Sequence, residues 1–261
     1  MLEKIRQIAI RAGDEILRFY GQDHPVDYKA DNSPLTLADQ AAHNLIAAAL
    51  RELTPEIPVL SEESAVPAYE ERRNWNRFWI VDPLDGTKEF IKQTGEFTVN
   101  IALVSGNSLE LGVVYVPAQR LSYLAGKKTG AFKQTNDGDR QKIEVRSVPK
   151  KTSAEDEKLT IVASRDHAGP QVRSLLEAYP DAEIRSMGSS LKFCLVAEGK
   201  ADLYLRDGPT MEWDTAAAQC VVETAGGIVQ VLDGNRLTYN KPDLKNPFLV
   251  TLGDPTFDWK P

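Results

Sequence analysis

Two aspartates three residues apart stand in the string Trp79-Ile80-Val81-Asp82-Pro83-Leu84-Asp85-Gly86-Thr87-Lys88-Glu89-Phe90. The apolar run Phe78 to Val81 predicts a short buried strand that ends at the first carboxylate. Two readings stand. Proline and Asp-Gly are common turn residues, so a strand ending in a tight turn accounts for the string without any chemistry. In the second reading, Asp82 and Asp85 converge at the mouth of a sheet, with a main-chain carbonyl exposed between them. A hard divalent cation such as Mg²⁺ takes oxygen donors of this kind. Gly86 and Thr87 then offer backbone N–H groups at the start of a short helix, where a phosphate is held well.

Two further segments bear on the choice. Upstream, Pro58-Val59-Leu60-Ser61-Glu62-Glu63-Ser64 reads as a second short strand ending in acids. Far downstream, Glu212-Trp213-Asp214-Thr215-Ala216-Ala217 places an aspartate beside a tryptophan at the start of an Ala-rich helix. Glu62, Asp82, Asp85 and Asp214 together form a distributed carboxylate set, each at a strand end or helix start, where α/β proteins gather ligands. Taken alone, Asp214 reads as the N-cap of its helix, and Glu63 reads equally as a solvated surface acid or a catalytic one.

The elements that must position these groups follow from periodicity. Leu2, Ile5, Ile8, Ala12, Ile16 and Phe19 recur at helical steps, with Gly21 as a stop. Residues 24–33 are polar and irregular, and Lys29, Asp31 and Asn32 fit either a plain loop or a ligand-facing one. A second helix runs from Thr36 to about Leu53, with Thr36 and Asp39 spaced as a capping box. After a polar excursion from Pro67 to Arg73, strand-like runs follow at Phe97–Val104, Leu111–Val116, Leu121–Ala125, Gly130–Phe132 and Lys142–Arg146. Strands crowding behind two helices predict a sheet covered on one face by that pair. Lys150 to Lys158 is charged and aperiodic, and a boundary there divides the chain into lobes 1–150 and 151–261 of one catalytic domain.

The second half alternates strand and helix. Strands are expected at Leu159–Ala163, Ala182–Ile184, Ala201–Leu205, Ile228–Val231 and Phe248–Leu252. Helices are expected at Gln171–Ala178, Ser189–Glu198 and Thr215–Ala225, the last stopped by Gly226-Gly227. The class is a layered α+β or α/β sandwich in two lobes.

Bulk properties narrow the function. The chain has 261 residues, 42% of them hydrophobic and 26% charged, enough for a sizeable core. A net charge of −7 argues against a nucleic-acid polymer as partner, since that requires a basic face. It does not exclude a small phosphorylated substrate, because metals can supply the positive charge. Cys194 and Cys220 lie in apolar helical patterns and read as reduced core thiols. No apolar run reaches membrane-spanning length and the N-terminus lacks a signal-peptide core, so a cytoplasmic protein is expected.

Glu62-Glu63-Ser64, Asp82-Pro83-Leu84-Asp85-Gly86-Thr87 and Trp213-Asp214-Thr215-Ala216-Ala217, in this order, resemble the Mg²⁺-dependent, Li⁺-sensitive phosphomonoesterases of the inositol monophosphatase superfamily. Longer strings resemble its bacterial 3′(2′),5′-bisphosphate nucleotidase branch: Lys29-Ala30-Asp31-Asn32-Ser33-Pro34, Gly95-Glu96-Phe97-Thr98-Val99-Asn100 and Gly188-Ser189-Ser190-Leu191-Lys192-Phe193-Cys194. The resemblance covers essentially the whole chain and implies an αβαβα sandwich. It implies one metal held by Glu62, Asp82 and the carbonyl of Leu84, and a second shared with Asp82 and held by Asp85 and Asp214. A third, weaker ion near Glu62 and inhibition by Li⁺ belong to the same expectation. Two cations ~4 Å apart activate water and steady the leaving oxygen in such sites.

The resemblance also assigns the attacking water to a place between a metal, Glu62 or Glu63, and Thr87, whose hydroxyl is polarised by Asp39. Gly86 and Thr87 hold the scissile phosphate, in contact with the Leu84, Asp85 and Asp214 groups, and His167, Ser189, Lys192 and Arg206 contact the nucleotide. Two departures stand out: Asp166 replaces the serine of the branch's Ser-Arg-Ser-His string, and Asp207 beside Arg206 is placed to neutralise it. The implied reaction is hydrolysis of 3′(2′)-phosphoadenosine 5′-phosphate to AMP and phosphate, in support of sulfate assimilation. The alternative on the same scaffold is an inositol or sugar monophosphatase. An alternative of another class is a nucleotide sensor without catalysis, against which the intact Glu62, Asp82, Asp85, Thr87 and Asp214 count. The resemblance also allows peripheral association with the cytoplasmic face of the inner membrane, for which the residues carry no signal.

Overall fold

The computed structural model describes residues 1–22, 27–28, 34–148, 158–163 and 169–260. In chain order its elements are α1 (Leu2–Leu17), β1 (Asp27–Tyr28), β2 (Pro34–Leu35), α2 (Leu37–Leu53), β3 (Val59–Ser61), α3 (Tyr69–Arg72), β4 (Arg77–Asp85), α4 (Thr87–Ile91), β5 (Thr98–Ser105), β6 (Ser108–Val116), β7 (Leu121–Gly126), β8 (Gly130–Thr135) and β9 (Gln141–Lys142). There follow β10 (Thr160–Ala163), α5 (Pro170–Ala178), β11 (Glu183–Ser186), α6 (Leu191–Ala197), β12 (Leu203–Arg206), α7 (Glu212–Thr224), β13 (Ile228–Val231) and β14 (Leu249–Leu252).

Strands β3 to β9 form a seven-stranded sheet in sequence order, parallel only between β3 and β4. The second sheet has the order β11-β10-β12-β14-β13, with β10 parallel to both its neighbours and β14 antiparallel to both of its own. Side-chain alternation along each strand sorts the core into layers. Trp79 and Val81 of β4 face a core shared with Ile5 and Ile16 of α1 and Ile46 and Leu50 of α2. Phe78 and Ile80 of the same strand face the opposite way, against Cys194 and Val196 of α6 and Ala217 and Val221 of α7. On β12, Tyr204 joins that central core, whereas Leu203 and Leu205 pack outward with Val172 and Leu175 of α5. The result is the five-layer αβαβα sandwich: helix pair, large sheet, helix pair, small sheet, helix.

Helix α7 lies unusually close to the large sheet. A Cβ built on Gly112 of β6 would come within 2.5 Å of the Ala217 carbonyl oxygen, so only glycine permits this approach. Cys194 and Cys220 are both free and buried in this layer, as expected of core thiols.

Three local expectations change. The alternation at residues 142–146 yields only the two-residue β9, because the chain then leaves the sheet and Val145 bonds to the Ala225 carbonyl instead. The excursion at 67–73 contains α3 and a buried Arg72, 2% exposed, which donates to carbonyls of Pro67, Lys241 and Pro242 and to the Asn240 side chain. Helix α7 begins at Glu212, three residues early, so Asp214 is its third residue and not its N-cap. The expected lobe boundary at 150 lies outside the described residues. No helix among the described residues is long and apolar enough to cross a membrane.

Candidate active site

The carboxylates meet because of strand pairing. In the parallel β3–β4 pair, Ser61 lies opposite Val81, and the Glu62 N–H donates to the Val81 carbonyl at 3.1 Å. Glu62 therefore leaves the end of β3 beside Asp82. Asp82 and Asp85 are three apart, and in a regular strand they would point to opposite faces. The register shifts between them: Asp82 pairs with Asn100 and Asp85 with Thr98, so one extra residue of β4 bulges out. That bulge is what turns both side chains toward the same edge. The Leu84 N–H folds back onto Asp82 Oδ1 at 3.0 Å and fixes the turn.

Asp214 arrives from α7, where its Oδ2 accepts the Met211 N–H at 2.8 Å. One oxygen each of Glu62, Asp82 and Asp214 lies within 4.8 Å of the others. Asp85 stands beside this trio. Its Oδ2 accepts both the N–H and the hydroxyl of Ser190 at 2.7 Å, with Asn100 Nδ2 and Thr98 Oγ1 at 3.4 Å. Asn100 and Ser190, each 1% exposed, and the fully buried Thr98 do not stand out from sequence as supports of Asp85. They sit in the strings Gly95–Asn100 and Gly188–Cys194, the one signal that could have flagged them.

Burial, reinforced by the charges of Glu62, Asp85, Asp214 and Asp39, holds the Asp82 carboxyl well above the usual carboxylate range. Burial and then the charges of Asp85 and Glu62 raise Asp214 likewise, against the pull of the Met211 N–H. Packed like charges of this kind are relieved by a cation. The donors are all oxygens, the chemistry a hard divalent ion such as Mg²⁺ demands. The residues present fit such an ion.

Asp39 Oδ2 accepts the Thr36 N–H at 2.7 Å and the Thr36 hydroxyl at 2.5 Å, the expected capping contact. Its other oxygen lies 3.3 Å from the Thr87 hydroxyl, which is also 3.3 Å from the Leu84 carbonyl. The capping and site-facing roles are thus served by separate oxygens. Gly86, between Asp85 and Thr87, has φ +92° and takes a left-handed turn that favours glycine. Its would-be Cβ is 3.2 Å from the Ser189 Cβ, which shows how closely the second sheet's loop abuts this turn. Glu63 is half-buried and outside the three-carboxylate cluster.

Away from the carboxylates, the loop before α6 spends two of its amides within the protein. The Gly188 N–H donates to Glu96 Oε2 at 2.8 Å and the Ser190 N–H to Asp85. Ser189 therefore offers its side chain: its hydroxyl is buried with no hydrogen-bond partner among the described residues, at a backbone φ of +45°. Arg206 Nε is likewise buried without a partner among the described residues. Asp207 does not neutralise Arg206. Its carboxylate accepts the N–H groups of Gly169, Gln171 and Val172 and caps α5.

Lys192 is 6% exposed, reaches the Met187 carbonyl at 3.3 Å, and lies 5.6 Å from the Tyr204 ring centre. Burial depresses its pKa to about 8, partly offset by Asp85. His167 and Asp166 lie outside the described residues, as do Lys29, Asp31 and Asn32. A site with buried acids at one end and unspent hydroxyl and cationic donors at the other can hold a metal-bound phosphate and a second anionic group.

The inositol monophosphatase family model matches residues 1–247. The chain belongs to the inositol monophosphatase family. A protein of Salmonella typhimurium named 3′(2′),5′-bisphosphate nucleotidase CysQ is 46% identical over 97% of this chain and 100% of its own length. The protein of that name from Escherichia coli K12 is 47% identical over 92% of this chain and 94% of its own. Among solved structures, CysQ from Bacteroides thetaiotaomicron, described as a bacterial member of the inositol monophosphatase family, superposes with a TM-score of 0.82 at 42% identity, covering 96% of both chains. The extragenic suppressor protein suhB of Bartonella henselae follows at TM-score 0.78 and 27% identity, over 97% of this chain and 93% of its own. The family's five-layer fold is the one described above.

Proposed function

We propose that this chain is a Mg²⁺-dependent 3′(2′),5′-bisphosphate nucleotidase that hydrolyses 3′(2′)-phosphoadenosine 5′-phosphate to AMP and phosphate, acting in the cytoplasm in support of sulfate assimilation. The observation that carries the reading is the 46% identity, over nearly the whole of both chains, to a relative bearing that name. Glu62, Asp82, Asp85, Asp214 and the Leu84 carbonyl would hold the cations. When bound, they supply positive charge to the phosphate and acidify water.

The chain's own groups do the rest. The Thr87 hydroxyl, within reach of Asp39 and the Leu84 carbonyl, orients the attacking water together with Glu62. Gly86 and Thr87 turn the chain so that first-turn N–H groups of α4 meet the scissile phosphate. Ser189, Lys192 and Arg206 meet the second phosphate and the nucleoside, with His167 assigned to the same role. Thr87→Val keeps the shape and removes the hydroxyl; kcat falls about 10²-fold with KM nearly unchanged, the size of a lost water-orienting group. A rise in KM with kcat unchanged would place Thr87 in binding instead.

The reading as a whole is tested by phosphate release with Mg²⁺. 3′-Phosphoadenosine 5′-phosphate and inositol 1-phosphate are compared at equal concentration, each with and without Li⁺. A large preference for the nucleotide, abolished by Li⁺, is expected. Preference for inositol phosphate would keep the metal chemistry and reject the roles given to Ser189, Lys192, Arg206 and His167.

A further inference from the structure

The three aspartates of the site share a constraint. Each has one carboxylate oxygen engaged by a protein donor: Asp82 Oδ1 by the Leu84 N–H at 3.0 Å, Asp214 Oδ2 by the Met211 N–H at 2.8 Å, and Asp85 Oδ2 by the Ser190 N–H and hydroxyl at 2.7 Å. An oxygen held by two short hydrogen bonds to a charged acceptor is committed, since such bonds are the strong ones. Asp82 Oδ1 and Asp214 Oδ2, with one donor each, keep a lone pair for a cation, whereas the Ser190 N–H and hydroxyl together fill Asp85 Oδ2, so Asp85 turns one oxygen, not two, toward a shared cation.

That matters for which cation is favoured. Mg²⁺ takes six oxygens in a tight octahedron at ~2.1 Å and keeps several waters, so single-oxygen carboxylates suit it. Ca²⁺ takes up to about eight oxygens at longer range and often fills its shell by chelating a carboxylate through both oxygens. A site that denies two-oxygen contact penalises the larger ion.

Two of the three restraints are main-chain amides. Only that on Asp85 includes a side chain, and that side chain is itself braced. Asn100 Nδ2 donates to Ser190 Oγ at 2.9 Å, and Thr98 Oγ1 donates to Asn100 Oδ1 at 3.0 Å. The Asp214 main-chain oxygen lies 2.9 Å from the Ser190 hydroxyl, whose single proton faces both that carbonyl and Asp85 Oδ2 and does not touch the Asp214 carboxylate. We propose that Ser190, braced by Asn100, sets the preference of this site for Mg²⁺ over Ca²⁺ by pinning Asp85 as a one-oxygen ligand. The inference rests on the reading of Glu62, Asp82, Asp85 and Asp214 as the cation ligands. Ser190 acts through Asp85 and is a positioning residue.

The test is direct binding. Mg²⁺ and Ca²⁺ are titrated separately into the full chain by calorimetry, for the wild type, Ser190→Ala, Ser190→Thr and Asp82→Asn. In Ser190→Ala the ratio of the Ca²⁺ to the Mg²⁺ dissociation constant falls about tenfold, the order of one hydrogen bond to a charged group. Ser190→Thr retains the hydroxyl and keeps the ratio within about twofold. An unchanged ratio in Ser190→Ala, or the same collapse in Ser190→Thr, overturns the proposal, as does a wild type that binds both ions equally. Should Ser190→Ala not fold, Asn100→Ala is the second variant: it removes the brace, and a ratio left unchanged there overturns the proposal too. A wild type that binds neither ion, and matches Asp82→Asn in doing so, rejects the ligand assignment itself. That outcome is distinct from failure of the selectivity inference.

Discussion

Asp82→Asn is expected to lower turnover by about 10³-fold or more while making the metal-free protein more stable. The activity loss follows from removing the central carboxylate charge of the site, where electrostatic stabilisation of the developing charge contributes most of the rate. The stability gain follows from the same charge. Asp82 is 1% exposed, and burial together with Glu62, Asp85, Asp214 and Asp39 raises its pKa. A carboxyl whose folded pKa lies above its unfolded one favours the fold when protonated. That contribution is present at acid pH and is lost as pH rises through the folded value. At neutral pH the metal-free wild type therefore carries an uncompensated strain that the near-isosteric amide relieves, by about 1 kcal/mol.

Scanning calorimetry in chelator separates this effect from the rest of the chain. The difference in Tm, variant minus wild type, is expected to grow as pH rises from the ordinary aspartate range toward the raised folded value of Asp82. Mg²⁺ at about a hundred times its dissociation constant should then stabilise the wild type by about 2.7 kcal/mol and the variant by far less. A variant no more stable than wild type in chelator would mean that the cluster is not strained. Mg²⁺-dependent turnover near wild type would remove Asp82 from the metal site.

Much of this arrangement is legible in the chain. The apolar run at 78–81 and the acids that close it predict a strand delivering carboxylates, and β4 runs from Arg77 to Asp85. The short strand before Glu62 and the helix bearing Asp214 are legible for the same reason: local periodicity marks them. What escapes is whatever depends on a partner distant in sequence. The bulge that turns Asp85 exists only in register against β5. Ser190 reaches Asp85 from 105 residues away, and nothing in its own neighbourhood marks a serine as a brace for a carboxylate. Arg72 reads as part of a solvated polar stretch, yet it is buried because residues 240–242 supply its acceptors. Helix α7 starts early for a like reason. Glu212 precedes the expected helix start at Thr215, but it is fully buried and satisfied by the N–H groups of Asn240 and Lys241 and by the Lys241 ammonium. The charge-neutralising role expected of Asp207 fails because the N-terminus of α5 lies closer to its carboxylate, a proximity that the sequence does not encode locally.

Lys192→Met is the second substitution with a large expected effect, and it also separates stability from function. Methionine matches the length of the lysine stem and leaves no cavity, so loss of the ammonium is the principal change. If Lys192 meets the second phosphate, KM for 3′-phosphoadenosine 5′-phosphate rises about 10- to 100-fold, the range of a charge-assisted hydrogen bond, while KM for adenosine 3′-monophosphate hardly moves. The depressed pKa of about 8 adds a pH signature. Below that pH the ammonium is present in the free enzyme; above it the amine is neutral and the bisphosphate is bound less well. Wild-type KM for the bisphosphate should therefore rise above about pH 8, and the variant's should be high and flat across that step. Stability runs the other way. A lysine whose folded pKa lies below its unfolded one penalises the fold wherever it is charged, a penalty present below about pH 8 and lost as pH rises toward the ordinary lysine value. The variant is expected to be more stable than wild type at pH ~7 by about 1–3 kcal/mol, with the gain disappearing near pH ~10.5. Equal changes in KM for the two nucleotides would take Lys192 out of the second-phosphate site. The stability result alone would then describe it as a buried cation of the α6 layer, packed on Tyr204.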